Sequence, residues 1–145
     1  MRSGFKFTDH TADVEFIAQG SSIEDTFKNA FMALFDTLSY TKKVAVQKSK
    51  TEKFMIREKA QDLERLLWYV LQDAVSIMDS KALYGYKINR IKISGKGNLY
   101  HFSGEISAKG QNRKNAKLDV KGVSLYNLKI SKKGSNFAAN VVMDV

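Results

Sequence analysis

Asp13 and Asp144, near opposite ends of a 145-residue chain, are the residues whose type and placement best suit chemistry. Asp13 opens an alternating run in which Val14, Phe16 and Ala18 share one side, while Asp13, Glu15, Ile17 and Gln19 take the other. In the last run, Phe137, Ala139, Val141, Met143 and Val145 share a face, which leaves Asp144 pointing away from them. If these first and last strands pair antiparallel, Asp13 comes beside Asp144 and the terminal carboxylate at Val145. Like charges so placed repel by on the order of 1 kcal/mol per close pair, which a bound cation would relieve. With oxygen donors alone, the ion would be calcium, magnesium or manganese rather than zinc. The competing reading is ordinary: an aspartate at a strand end is usually just solvated.

Other candidates are weaker. Asp9 suits a turn into the first run or an outer-sphere oxygen, and His10 a hydrogen-bonded or second-sphere role, since no second histidine is near. His101 falls inside a strand pattern and is assigned no catalytic part. Lys121, as a bare strand lysine, is a solvated side chain. Asp36 ends an apolar helical stripe and reads as structure. Gly95-Lys96-Gly97 leads into a strand, not a helix, so it is no phosphate loop. With no cysteine, thiolate metal ligation and cysteine nucleophiles are excluded.

The elements that must position these residues follow from periodicity. After Gly20, Ser21 and Ser22 offer N-caps, with Glu24 and Asp25 each three residues on, and Ile23, Phe27, Ala30, Phe31, Leu34, Phe35 and Leu38 recur at helical spacing. A strand is expected over 51–57, then a second helix from near Asp62 to about Met78, with Trp68 and Tyr69 covering the edge of its buried stripe. From Tyr86 the period becomes two. Strands are expected over 87–94 and 99–108 as a hairpin, then over 117–125, 126–131 and 137–145. The expected architecture is a single α+β domain over 1–145, two helices packed on a largely antiparallel sheet. The N-terminal residues form neither a signal peptide nor a membrane span, which predicts a cytoplasmic protein.

Four segments, in order, resemble the archease family: Asp9-His10-Thr11-Ala12-Asp13 with the strand, Gly20 and capped helix that follow; Asp62-Leu63-Glu64-Arg65-Leu66-Leu67; Asp119-Val120-Lys121-Gly122-Val123 with Tyr126; and Val141-Val142-Met143-Asp144-Val145. The resemblance implies an accessory protein, not itself an enzyme, that activates the GTP-dependent RNA ligase of tRNA splicing by promoting its guanylylation and repeated turnover. It also implies that Asp13 and Asp144 ligate a divalent metal ion, calcium foremost, with Val145 adding a main-chain oxygen, and that Lys121 contacts a phosphate or a ligase carboxylate. The basic loop Gly110-Gln111-Asn112-Arg113-Lys114-Asn115 departs from the longer, acidic loop of the family pattern.

A net charge of +9 motivates a second reading, an RNA-binding accessory module using Tyr84, Tyr86, Tyr100 and Phe102 among lysines. The lysines are scattered through all elements, so the expectation is weak or indirect RNA binding only. A metal-dependent hydrolase built on Asp13 and Asp144 is a third reading, disfavoured because no general base can be assigned.

Overall fold

The computed structural model describes residues 3–8 and 13–145. Chain order is β1 (Gly4–Thr8), β2 (Asp13–Gly20), α1 (Ile23–Leu38), α2 (Thr41–Ala45), β3 (Glu52–Ala60), α3 (Leu63–Ser80), β4 (Leu83–Lys96), β5 (Leu99–Gly110), a 3-10 turn at Arg113–Asn115, β6 (Gly122–Val123), β7 (Lys129–Lys133) and β8 (Asn136–Asp144). Asp9 and His10 lie outside the described residues.

Both long helices start where their caps predict. The Ser22 hydroxyl accepts from the Asp25 amide at 3.0 Å, and the Asp62 carboxylate from the Arg65 amide at 2.7 Å, each satisfying an amide with no partner inside its helix. The apolar stripes then bury as their spacing requires: Phe27, Phe31, Leu34 and Phe35 of α1, and Leu66, Leu67, Val70 and Leu71 of α3, are fully buried. Each such side chain contributes about 1.5–3 kcal/mol of apolar burial.

All strand pairings among the described residues are antiparallel, as the period of two implies, but they form two sheets instead of one. In the larger sheet β8 is central, with β2 on one side, β6 and β7 on the other, and β1 outside β2. The smaller sheet runs β3-β5-β4. One apolar cluster joins them: Phe102 of β5 stacks on Phe27 and Phe31 at 5.8 and 5.9 Å, and Phe16, Ala18, Val141 and Met143 of the larger sheet belong to the same core.

The strand expected over 117–125 shrinks to β6. The amides of Lys117 and Leu118 instead donate to the Leu38 and Thr37 carbonyls at 2.9 and 3.2 Å, so this segment caps the C-terminal end of α1. β7 falls slightly later than the expected 126–131, and β1 and the short α2 are additions. Trp68 and Tyr69 do sit at the edge of the core, and the Trp68 indole donates to the Val123 carbonyl at 2.6 Å.

Candidate metal site

β2 and β8 pair along the whole of β2, in a register that sets Asp13 opposite Asp144. Directly opposed residues of such a ladder have Cβ atoms about 4.5–5.5 Å apart, within reach of a shared ligand. On the other side of β8, Gly122 of β6 stands opposite Asp144, and the Lys121 amide donates to the Asp144 carbonyl at 2.8 Å. Strand register and the Lys121 amide therefore bring Asp13, Asp144 and the Lys121 backbone, three of the positions singled out in the sequence, to one end of one sheet.

Glu15 lies on the same sheet face, but its carboxylate accepts from the Thr8 hydroxyl and, at 3.0 Å, from the Asn140 amide. Among the described residues no basic side chain forms an ion pair with Asp13 or Asp144. Nor do three histidine, cysteine, aspartate or glutamate side chains gather in a metal-binding cluster there. The described side-chain donors are thus two hard carboxylates, of the oxygen type that calcium and magnesium take and structural zinc sites seldom use alone. Val145 lies beyond the end of β8 and is 36 % exposed; it is not the core-facing residue that alternation predicts, because pairing stops at Asp144.

Asp13 also borders a recess of about 350 Å³ that includes Asp36 and Lys117. The Lys117 ammonium lies 3.7 Å from the Asp36 carboxylate and 5.3 Å from the Tyr40 ring centroid. Neither neighbour was singled out for chemistry; the only hint was that Asp36 closes the helix whose end the 117–118 segment covers. Lys121 is exposed and borders a second cleft of about 390 Å³ with Asp79, Tyr84 and Asp119. Burial, and then the negative charge of Asp119, push the Tyr84 hydroxyl above its ordinary value of 10.0, so it remains a protonated donor.

Residues 5–145 match the model of the Archease protein family (MTH1598/TM1083). The chain belongs to the archease family. It is 29% identical to an archease of Sulfolobus acidocaldarius, over 97% of this chain and 98% of that one. An archease of Methanothermobacter thermautotrophicus is 28% identical, over 98% and 99% of the two chains. Among solved structures, Methanobacterium thermoautotrophicum protein 1598 superposes with a TM-score of 0.81 at 26% identity, covering 98% of this chain and 99% of that one. The archease of Thermotoga maritima, described as a possible chaperone, shares the fold at a TM-score of 0.56 and 20% identity, over 100% and 98%. Three of the four segments that resemble the family contribute residues to the sheet end at Asp144, through Asp13, Lys121 with Gly122, and Asp144 itself, while the segment 62–67 opens α3.

Proposed function

We propose that this archease is a cytoplasmic accessory protein, not itself a catalyst, that activates the GTP-dependent RNA ligase of tRNA splicing through a divalent ion held at Asp13 and Asp144. The observation that carries this reading is the β2–β8 register, which sets the two family-matched carboxylates directly opposite each other with no described counter-cation. Calcium is the favoured ion, with magnesium or manganese next, and the main-chain oxygen of Val145 is the natural third protein donor. When bound, the ion would neutralise the acid pair and offer a positive centre to a phosphate or carboxylate of the ligase–GTP complex.

The chain's own residues supply the rest. The β2–β8 ladder fixes both carboxylates before the partner arrives, so little ordering remains to be done on binding. Lys121, tied through its amide to the Asp144 carbonyl, presents its exposed side chain toward the neighbouring cleft with Asp79 and Asp119, where it can serve as a separate cationic contact for an anionic group.

The deciding experiment is a multiple-turnover ligation assay, using a purified GTP-dependent RNA ligase with catalytic amounts of this protein and calcium varied. The reading expects stimulation that saturates with calcium and is abolished in both Asp13→Ala and Asp144→Ala. Undiminished stimulation by both variants at limiting calcium overturns it.

A further inference from the structure

The outer face of the smaller sheet carries a charge pattern that the acid pair does not explain. Register partners share a face, so Arg57 of β3, Ser103 of β5 and Lys92 of β4 form one row, and Lys59, His101 and Ser94 form the next. These six side chains line a shallow recess of about 440 Å³. Arg57, Lys59 and Lys92 are exposed. Two acids bear on this charge: Glu58 also borders the recess and is engaged with Asp73 of α3, and Glu105, farther along the face, lies 4.0 Å from the Lys53 ammonium, so its charge is already partly balanced.

A bulge creates the pattern. Between Asn89 and Lys92, β4 spends one residue more than β5, and Arg90 takes a positive φ of 58°. Without that extra residue Ile91 would stand opposite Ser103 and Lys92 would turn inward. With it, Lys92 and Ser94 face outward, while Ile91 and Ile93 pack on the core. The Lys109 end of the same face is covered by the end of α2 and the residues after it: Lys109 donates to the Ala45 carbonyl at 2.9 Å and to the Gln47 carbonyl at 2.5 Å. The middle of the face, at Lys53, Met55 and Lys87, is exposed as well, and the recess lies at the open end bearing the two rows.

We propose that this open end is a binding face for the phosphate backbone of single-stranded RNA. Cations on β3 and β4 stand about 10 Å apart, two strand spacings, and flank a central strand carrying a histidine and a hydroxyl, a track wide enough for one strand of phosphates. Arginine, lysine and serine are the donors that phosphate oxygens take. The two rows hold no apolar side chain, and Phe102, which also borders the recess, is 3 % exposed and stacked in the core, so these rows offer a protein partner no free aromatic or aliphatic anchor. Such contacts read no sequence, so the binding is electrostatic and non-specific.

The test is fluorescence anisotropy of a short fluorescein-labelled poly(U) RNA titrated with the full chain over a range of sodium chloride. Arg57→Gln with Lys92→Gln should weaken binding roughly tenfold at low salt and flatten the slope of log K against log salt by about 0.7 per lost contact. Lys132→Gln with Lys133→Gln, which removes equal charge from β7, should change affinity by less than about twofold. The charge-keeping pair Arg57→Lys with Lys92→Arg should retain binding, and circular dichroism should show all variants folded. Equal loss in the β7 variant, no loss in the Gln pair, or equal loss in the charge-keeping pair overturns the proposal. So does displacement of the RNA by polyglutamate at matched charge, which would make the face an acidic-protein site. Ligase stimulation is read separately, so failure here leaves the reading of Asp13 and Asp144 standing.

Discussion

Asp13 and Asp144 face each other as a cross-strand pair of like charge in a sheet whose other pairings are mostly apolar or neutral. Opposed like charges cost a ladder roughly 0.2–1 kcal/mol, so in metal-free buffer with chelator Asp13→Asn should be more stable than the parent by about that amount. Calcium should raise the parent's melting temperature, by about 2.7 kcal/mol of stabilisation at a hundredfold excess over Kd, and leave the variant unmoved. Calorimetric scans with and without calcium check both signs. A variant that loses stability in chelator, or still responds to calcium, contradicts the pairing.

The side of β6 facing α3 is held by helix side chains in place of another strand. Trp68 donates to the Val123 carbonyl at 2.6 Å, and the Gln72 side-chain oxygen accepts from the Val123 amide at 2.7 Å. Trp68→Phe should leave that carbonyl without its partner and cost about 1–3 kcal/mol in urea unfolding. Because Gly122, the neighbouring residue, pairs with Asp144, the same variant should also weaken calcium binding measured by titration calorimetry. Unchanged stability would show that solvent replaces the indole freely.

Asp73 of α3 and Glu58 of β3 form a carboxyl–carboxylate contact beneath the smaller sheet. Burial first, then the hydrogen bond with Glu58 and its negative charge, push the Asp73 carboxyl from 3.8 up to about 7. The raised value means that the folded state holds this proton more tightly than the unfolded chain. Its contribution is therefore fully present below pH 3.8 and is lost as pH rises through about 7. Asp73→Asn should abolish that slope and be more stable than the parent above neutrality, by on the order of 1 kcal/mol once solvent screening is allowed for. Urea midpoints measured from pH 4 to pH 8 would reveal a parallel offset if the assignment is wrong.

Gly85 marks the closest approach of β4 to α1. A Cβ built there would lie 2.6 Å from the Phe35 ring, and both residues are buried. Gly85→Ala should cost about 1–3 kcal/mol by overpacking, read as a lower melting temperature with ligase stimulation retained at low temperature. A neutral effect would mean that the ring can move aside.

Helical periodicity and caps made α1 and α3 legible because both signals are local: Ser22 and Asp62 cap where they stand in the sequence. The pairing of Asp13 with Asp144 was also accessible, since alternation fixes which way each acid points and antiparallel pairing fixes which ends meet. Sheet membership was not accessible, because nothing local to β3 or β8 says which strands lie beside it. The segment 117–121 alternates like a strand, yet its first amides serve the end of α1, a choice made by tertiary proximity. The bulge at Arg90 leaves a faint trace, a three-residue step from Ile88 to Ile91 where a regular strand takes two, but it is the register against β5 that shows the slip turning Lys92 outward. The order of the archease segments was legible, while Asp36 and Lys117 beside Asp13 depended on how the chain returns to α1.

The placement of β8 bears on the order in which the molecule can assemble. The β4–β5 hairpin closes over a tight turn, whereas the β2–β8 ladder joins residues separated by nearly the entire chain. Loop-closure entropy grows with the chain enclosed, so the longest-range register carries the largest ordering cost and profits most from contacts made beforehand. The acid pair thus exists only in molecules that have finished folding. A chain arrested with β2 and β8 apart offers two distant, hydrated aspartates, so competence to hold a cation there is withheld from every incomplete copy.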